Sequence, residues 1–91
     1  MPSIDIKRKH TRPLPEARKA VDRVAKHIAE KFDVACEWDG DTLNFTRFGV
    51  DGHIAVTAKQ VHVTAHLNFL LGYLRESIEE KIHNYLDQEF G

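Results

Sequence analysis

Ninety-one residues, 42% hydrophobic and 30% charged, suit one small folded domain and argue against disorder and against a second core. The net charge of −1 hides a polarised chain: residues 1 to 31 carry nine Lys/Arg against four Asp/Glu (+5), and the rest carry four against ten (−6). The single cysteine, Cys36, excludes an internal disulfide and suits a reducing compartment, with the cytoplasm as the default.

Ser3 to Lys9 alternates, with Ile4 and Ile6 on one side and Asp5 and Lys7 on the other, which predicts a half-buried strand at or near a sheet edge. Arg12-Pro13-Leu14-Pro15 stops it, because each proline fixes its own φ and restricts the residue before it. From Pro15 to Phe32 the apolar residues Ala17, Val21, Val24, Ala25, Ile28 and Phe32 recur three or four apart. That spacing predicts an amphipathic helix, with Pro15 at its first position and Glu16 at the positive end of its dipole.

Val34, Cys36 and Trp38 alternate with polar or small residues, Asp39-Gly40 signals a turn, and Leu43 and Phe45 continue the alternation. A hairpin closed by Asp39-Gly40 pairs Trp38 with Asp41 and Cys36 with Leu43, and makes Cys36 a small buried hydrophobe. Gly49 and Gly52 bracket Val50-Asp51 and predict a tight reversal there. Ile54 and Val56 open the next strand, and Val61, Val63, Ala65 and Leu67 alternate with His62, Thr64, His66 and Asn68 in another. The simplest register sets Ile54 opposite Ala65 and His53 opposite His66.

Asn68 to Phe90 returns to helical spacing through Leu70, Leu71, Leu74, Ile78, Ile82, Tyr85, Leu86 and Phe90, with Gly72 inside at a cost of about 1 kcal/mol relative to Ala. The order is β-α-β-β-β-β-α. Because the strands have one apolar and one polar face, the expectation is an α+β domain: a mainly antiparallel sheet of about five strands, with both helices packed on one face. No apolar run reaches the roughly 20 residues of a membrane span.

His62 and His66 lie four apart, but on a strand that separates them by about 13 Å. His53 and His66 form an exposed cross-strand pair without a third ligand, so no metal is expected. No base is placed beside Cys36, and Asp39, Asp41 and Asp51 fall in turns, so neither catalytic residues nor a cofactor is expected. Arg47 points towards the covered face at a strand end. It either reaches acids of the closing helix (Glu76, Glu79 or Glu80) or serves as an anion-recognising fork beside Trp38, Phe45 and Tyr73. Lys7, Arg8, Lys9, His10 and Arg12 could meet phosphates, but no neighbouring aromatic or glycine-rich loop accompanies them, and nucleic-acid binding is not expected. Phe69, Leu70, Leu71, Tyr73 and Leu74 cover more than one helix face, which points to an apolar patch for a second copy or a hydrophobic particle.

Lys9-His10, Phe45-Thr46-Arg47 with Gly49-Val50 and Gly52, and Leu67 with Phe69-Leu70-Leu71-Gly72 ahead of Ile78-Glu79 and Leu86-Asp87 resemble the putative polyhydroxyalkanoic acid system protein family. These are short bacterial proteins, many of them encoded near polyester granule genes. The resemblance implies a link to storage granules and supplies no catalytic residues. The expectation is a non-enzymatic accessory protein acting at a granule, at a granule protein or on its own copy. The alternative is a helix-grip-like module that binds an acyl or hydroxyacyl compound near Trp38, Phe45, Arg47 and Tyr73.

Overall fold

The computed structural model describes residues 3–90. Strand β1 (Ser3–Lys9) leads into helix α1 (Leu14–Phe32), then strands β2 (Ala35–Asp39), β3 (Thr42–Arg47), β4 (Val50–Val56) and β5 (Gln60–Leu67). A 3-10 turn (Gly72–Leu74) precedes helix α2 (Arg75–Phe90). The strands form one five-stranded sheet, ordered β1-β5-β4-β3-β2, in which every neighbouring pair is antiparallel. The α+β class and the element order therefore stand as expected.

The period-two alternation puts Ile4 and Ile6, Leu43 and Phe45, Ile54 and Val56, and Val61, Val63, Ala65 and Leu67 on one face, where all are buried. Both helices cover that face. Helix α1 buries Ala17, Ala20, Val21, Val24, Ala25 and Ile28, and α2 buries Ile82 and Leu86. Each fully buried Leu or Ile contributes about 1.5–3 kcal/mol. The helices meet along a seam where His27 stacks on Tyr85 (5.1 Å between centroids) and Arg23 pairs with Glu89 at 2.7 Å. Helix α1 begins one residue earlier than the proline pattern predicts, with Leu14 first and Pro15 second. It ends at Asp33, whose left-handed conformation (φ 55°, ψ 50°) is one that a short polar side chain tolerates.

Several local expectations are corrected. The β2–β3 hairpin turns on Gly40-Asp41, so Trp38 faces Leu43 and Cys36 faces Phe45. Glycine takes the positive φ (61°) at the first loop position, where a type II′ hairpin requires it. The shift preserves which side chains share a face. Cys36, expected to be buried, is exposed on β2, an edge strand of the sheet.

The next reversal is at Phe48-Gly49, two residues before the bracketed dipeptide, and Val50-Asp51 already belongs to β4. Gly49 supplies the positive φ (84°). Gly52 is a strand residue facing Phe45. Across β4 and β5 the register sets Ile54 opposite Val63 and His53 opposite Thr64, while His66 faces Asp51 on one side and Ser3 on the other. His53 and His66 are thus diagonal neighbours rather than a pair, because the β4–β5 reversal is centred between Ala58 and Lys59, one residue earlier than the expected register places it.

Helix α2 starts at Arg75 and not at Asn68. The Asn68 side chain accepts a bond from the Leu71 backbone N–H at 3.0 Å and closes a local turn, which diverts the chain before the helix can begin.

Candidate functional site

The strands and helices run along a body of 38 × 23 × 21 Å and give it two distinct ends. One end gathers the end of α1, the β3–β4 turn and the segment joining β5 to α2. The segment is tied to the turn by the Asn68 N–H donating to the Gly49 carbonyl at 2.9 Å. Leu71 packs so closely on Gly49 that a Cβ there would lie 2.7 Å from its Cδ1. This docking fixes the linking residues without burying them. Phe69 is 78% exposed, Leu70 60% and Tyr73 79%, and Phe48 at the tip of the adjoining turn is 85% exposed. Leu71 and Leu74 are half-buried. The run noted from sequence therefore divides: Leu71 packs against the core and Leu74 is half-buried, while Phe69, Leu70 and Tyr73 face outwards. Phe48 escaped sequence reasoning because its membership comes from turn geometry. Its signal was a large apolar residue directly before a turn glycine.

Arg47 lies at the same end. Its Nη1 donates to the Phe32 carbonyl at 2.7 Å, so the guanidinium caps the last turn of α1, where the helix dipole favours a cation. The acids of α2 are not its partners; Glu79 pairs instead with Arg75 at 3.5 Å. Beside Arg47, with Asp51, His66 and Asn68, is an open depression of about 390 Å³.

The four residues expected to share a ligand cavity are separated. Phe45 is buried and lines a wholly apolar cavity of about 20 Å³ between the helices and the sheet, room for about one water and not for an acyl chain. Tyr73 faces outwards. Trp38 lies towards the other end of the sheet, in a surface groove of about 470 Å³ along α1. Its Nε1–H donates to Asp22 Oδ1 at 3.1 Å, and the Arg18 guanidinium lies 4.6 Å above its ring. The Trp38 hydrogen bond, with Lys26 and Arg23 nearby, holds the Asp22 carboxyl below its usual range against a smaller opposing effect of burial. Cys36 directs its sulfur towards the Ala25 carbonyl (3.8 Å), and partial burial there, with the charge of Asp22, pushes the thiol up. A thiol shifted that way is a poorer nucleophile at neutral pH.

The uncovered face of the sheet carries Asp5, Thr64, His53, Asn44 and Glu37 in one row across the strands. His62, in the next row, bonds Asp5. Among the described residues no group of three or more His, Cys, Asp or Glu could hold a metal ion. Among the described residues no helix is long and apolar enough to cross a membrane.

Residues 4–90 match the family described as Putative polyhydroxyalkanoic acid system protein, and the chain belongs to that family. No curated protein and no solved structure matches the chain.

Proposed function

We propose that this member of the polyhydroxyalkanoic acid system family is a cytoplasmic, non-enzymatic accessory protein that sits on the storage granule through its apolar end. The observation that carries this reading is the grouping of Phe48, Phe69, Leu70 and Tyr73, four large side chains left 60–85% exposed by elements that are otherwise well packed. Soluble domains rarely expose such groups together, and those that do use them as contact surfaces. Full burial of one Phe or Leu contributes about 1.5–3 kcal/mol, so four acting together can offset the cost of immobilising a small protein where one alone could not. A hydrophobic polyester matches this surface because it demands apolar area and shape but few directed hydrogen bonds.

The test is co-sedimentation of the purified protein with polyester granules, beside light scattering of the protein alone. Phe48→Ser combined with Phe69→Ser is expected to lower the bound fraction about tenfold or more. Circular dichroism should be unchanged, because neither side chain is part of the core. Sedimentation unaffected by the double variant would overturn the proposal. So would a stable dimer that the same substitutions dissociate, since the patch would then be spent on a second copy.

A further inference from the structure

At the end opposite the apolar patch the chain builds a second, differently made site. Residues that follow β1, the β4–β5 turn and the end of α2 surround an open cleft of about 470 Å³, walled by Lys9, His10, Thr11, Arg12, Lys59 and Phe90. Three cations meet there, and among the described residues no carboxylate is in the wall. Among the described residues, none of Lys9, Arg12 and Lys59 makes an ion pair. The two α2 acids nearest Phe90 in sequence are engaged elsewhere, Glu89 by Arg23 and Asp87 by Arg8, each at 2.7 Å. The groove beside Trp38 has the same volume and four cations, yet three are matched: Arg18 by Asp41, Arg23 by Glu89 and Lys26 by Asp22. Unmatched positive charge distinguishes the first cleft.

Its frame is preorganised. The His10 backbone N–H donates to the Lys59 carbonyl at 2.9 Å, and His10 Nε2 meets the Thr57 carbonyl at 2.7 Å. The Arg12 backbone N–H donates to His10 Nδ1 at 3.1 Å, so Nδ1 serves as acceptor and Nε2 carries the proton. Thr57 Oγ1 accepts from the backbone N–H groups of Lys59 and Gln60 and closes the turn that presents Lys59. Phe90 supplies an aromatic floor, with the Arg12 guanidinium 5.2 Å and the His10 ring 5.4 Å from its ring centre. The basic run near the N-terminus lacks an aromatic partner in sequence, and the fold brings one from 78 residues away, the offset between Arg12 and Phe90.

We infer that this cleft binds a phosphate monoester. Three unmatched cations are poorly answered by a single carboxylate. A phosphate monoester brings about −1.5 to −2 charge and three acceptor oxygens, and Arg12 can engage two of them at once. The group could be carried by a small soluble molecule or by a lipid headgroup, which share this chemistry.

Calorimetric titration with glycerol 3-phosphate, with acetate as the control anion, tests the site. Binding of the phosphate ester is expected, with acetate at least about tenfold weaker. Arg12→Ala and Lys59→Ala should each weaken phosphate binding by about tenfold, the loss of one charge-assisted contact, while Lys19→Ala in the other groove should leave it unchanged. Circular dichroism on each variant separates loss of binding from loss of fold. Flotation with vesicles of phosphatidylcholine containing phosphatidic acid identifies the carrier. Arg12-dependent flotation assigns a headgroup, and soluble binding alone assigns a free ester, and either supports the site. Equal binding of acetate, indifference to Arg12→Ala and Lys59→Ala, or binding of a duplex oligonucleotide without binding of glycerol 3-phosphate would overturn it. Loss of granule sedimentation with phosphate binding intact would fail the apolar-end reading alone.

Discussion

The Phe45 ring fills the space above Gly52. The two residues face each other across β3 and β4, and a Cβ at Gly52 would stand 2.7 Å from ring atoms Cε2 and Cζ and 2.7 Å from the Thr64 carbonyl oxygen. The glycine is there for room and not for its backbone: it carries no positive φ and belongs to a central strand.

Gly52→Ala should therefore destabilise the fold by about 1–3 kcal/mol, the usual cost of overpacking, despite alanine's better fit to a strand. Urea unfolding checks this. In a Phe45→Leu background the same substitution should cost less, because part of the clash is with the ring. Additive losses in that double-mutant cycle would place the conflict wholly at the Thr64 carbonyl.

Arg47→Ala removes a charge-assisted hydrogen bond to the last turn of α1 and should lower stability by about 1 kcal/mol. The loss should be local. Amide exchange in the final turn of α1 is expected to accelerate while amides in β4 and β5 keep their protection. Uniform acceleration would show that Arg47 supports the whole fold and not the helix end.

Asp22 gives a pH dependence with a definite sign. In the folded state its carboxyl is held below the usual aspartate range, chiefly by the Trp38 hydrogen bond. The folded state thus binds the proton less readily than the unfolded chain. The stability this contributes is present above the unfolded value and is lost as pH falls through the folded one. Unfolding midpoints measured from pH 6 down to about pH 2, spanning the carboxylate range, should fall less steeply at the acid end in Asp22→Asn than in the parent. Parallel curves would remove Asp22 from the acid response. Its exposure keeps the effect small.

Periodicity was enough to set the order and type of the elements, though not where α2 begins. Alternation at Ile4/Ile6, Leu43/Phe45 and Val61 to Leu67, and three-to-four spacing from Ala17 to Ile28, are local consequences of which side chains must leave water. They led directly to the strand and helix order and to the face each strand buries. A shift of two in a register sum leaves those faces unchanged, so pattern could not choose between Trp38 opposite Asp41 and Trp38 opposite Leu43. The positive φ of Gly40 chose, and a similar two-residue shift separated His53 from His66.

What only the tertiary structure decided is where distant segments meet. Phe48 joined Phe69 and Tyr73 because Asn68 bonds Gly49, and Phe90 came beneath Arg12 because α2 packs against β1. Hydrophobic spacing records whether a side chain is buried, a property of its own neighbourhood in the chain. Which exposed residues share a surface depends on turns and crossings, and those relations carry no period for a sequence to display.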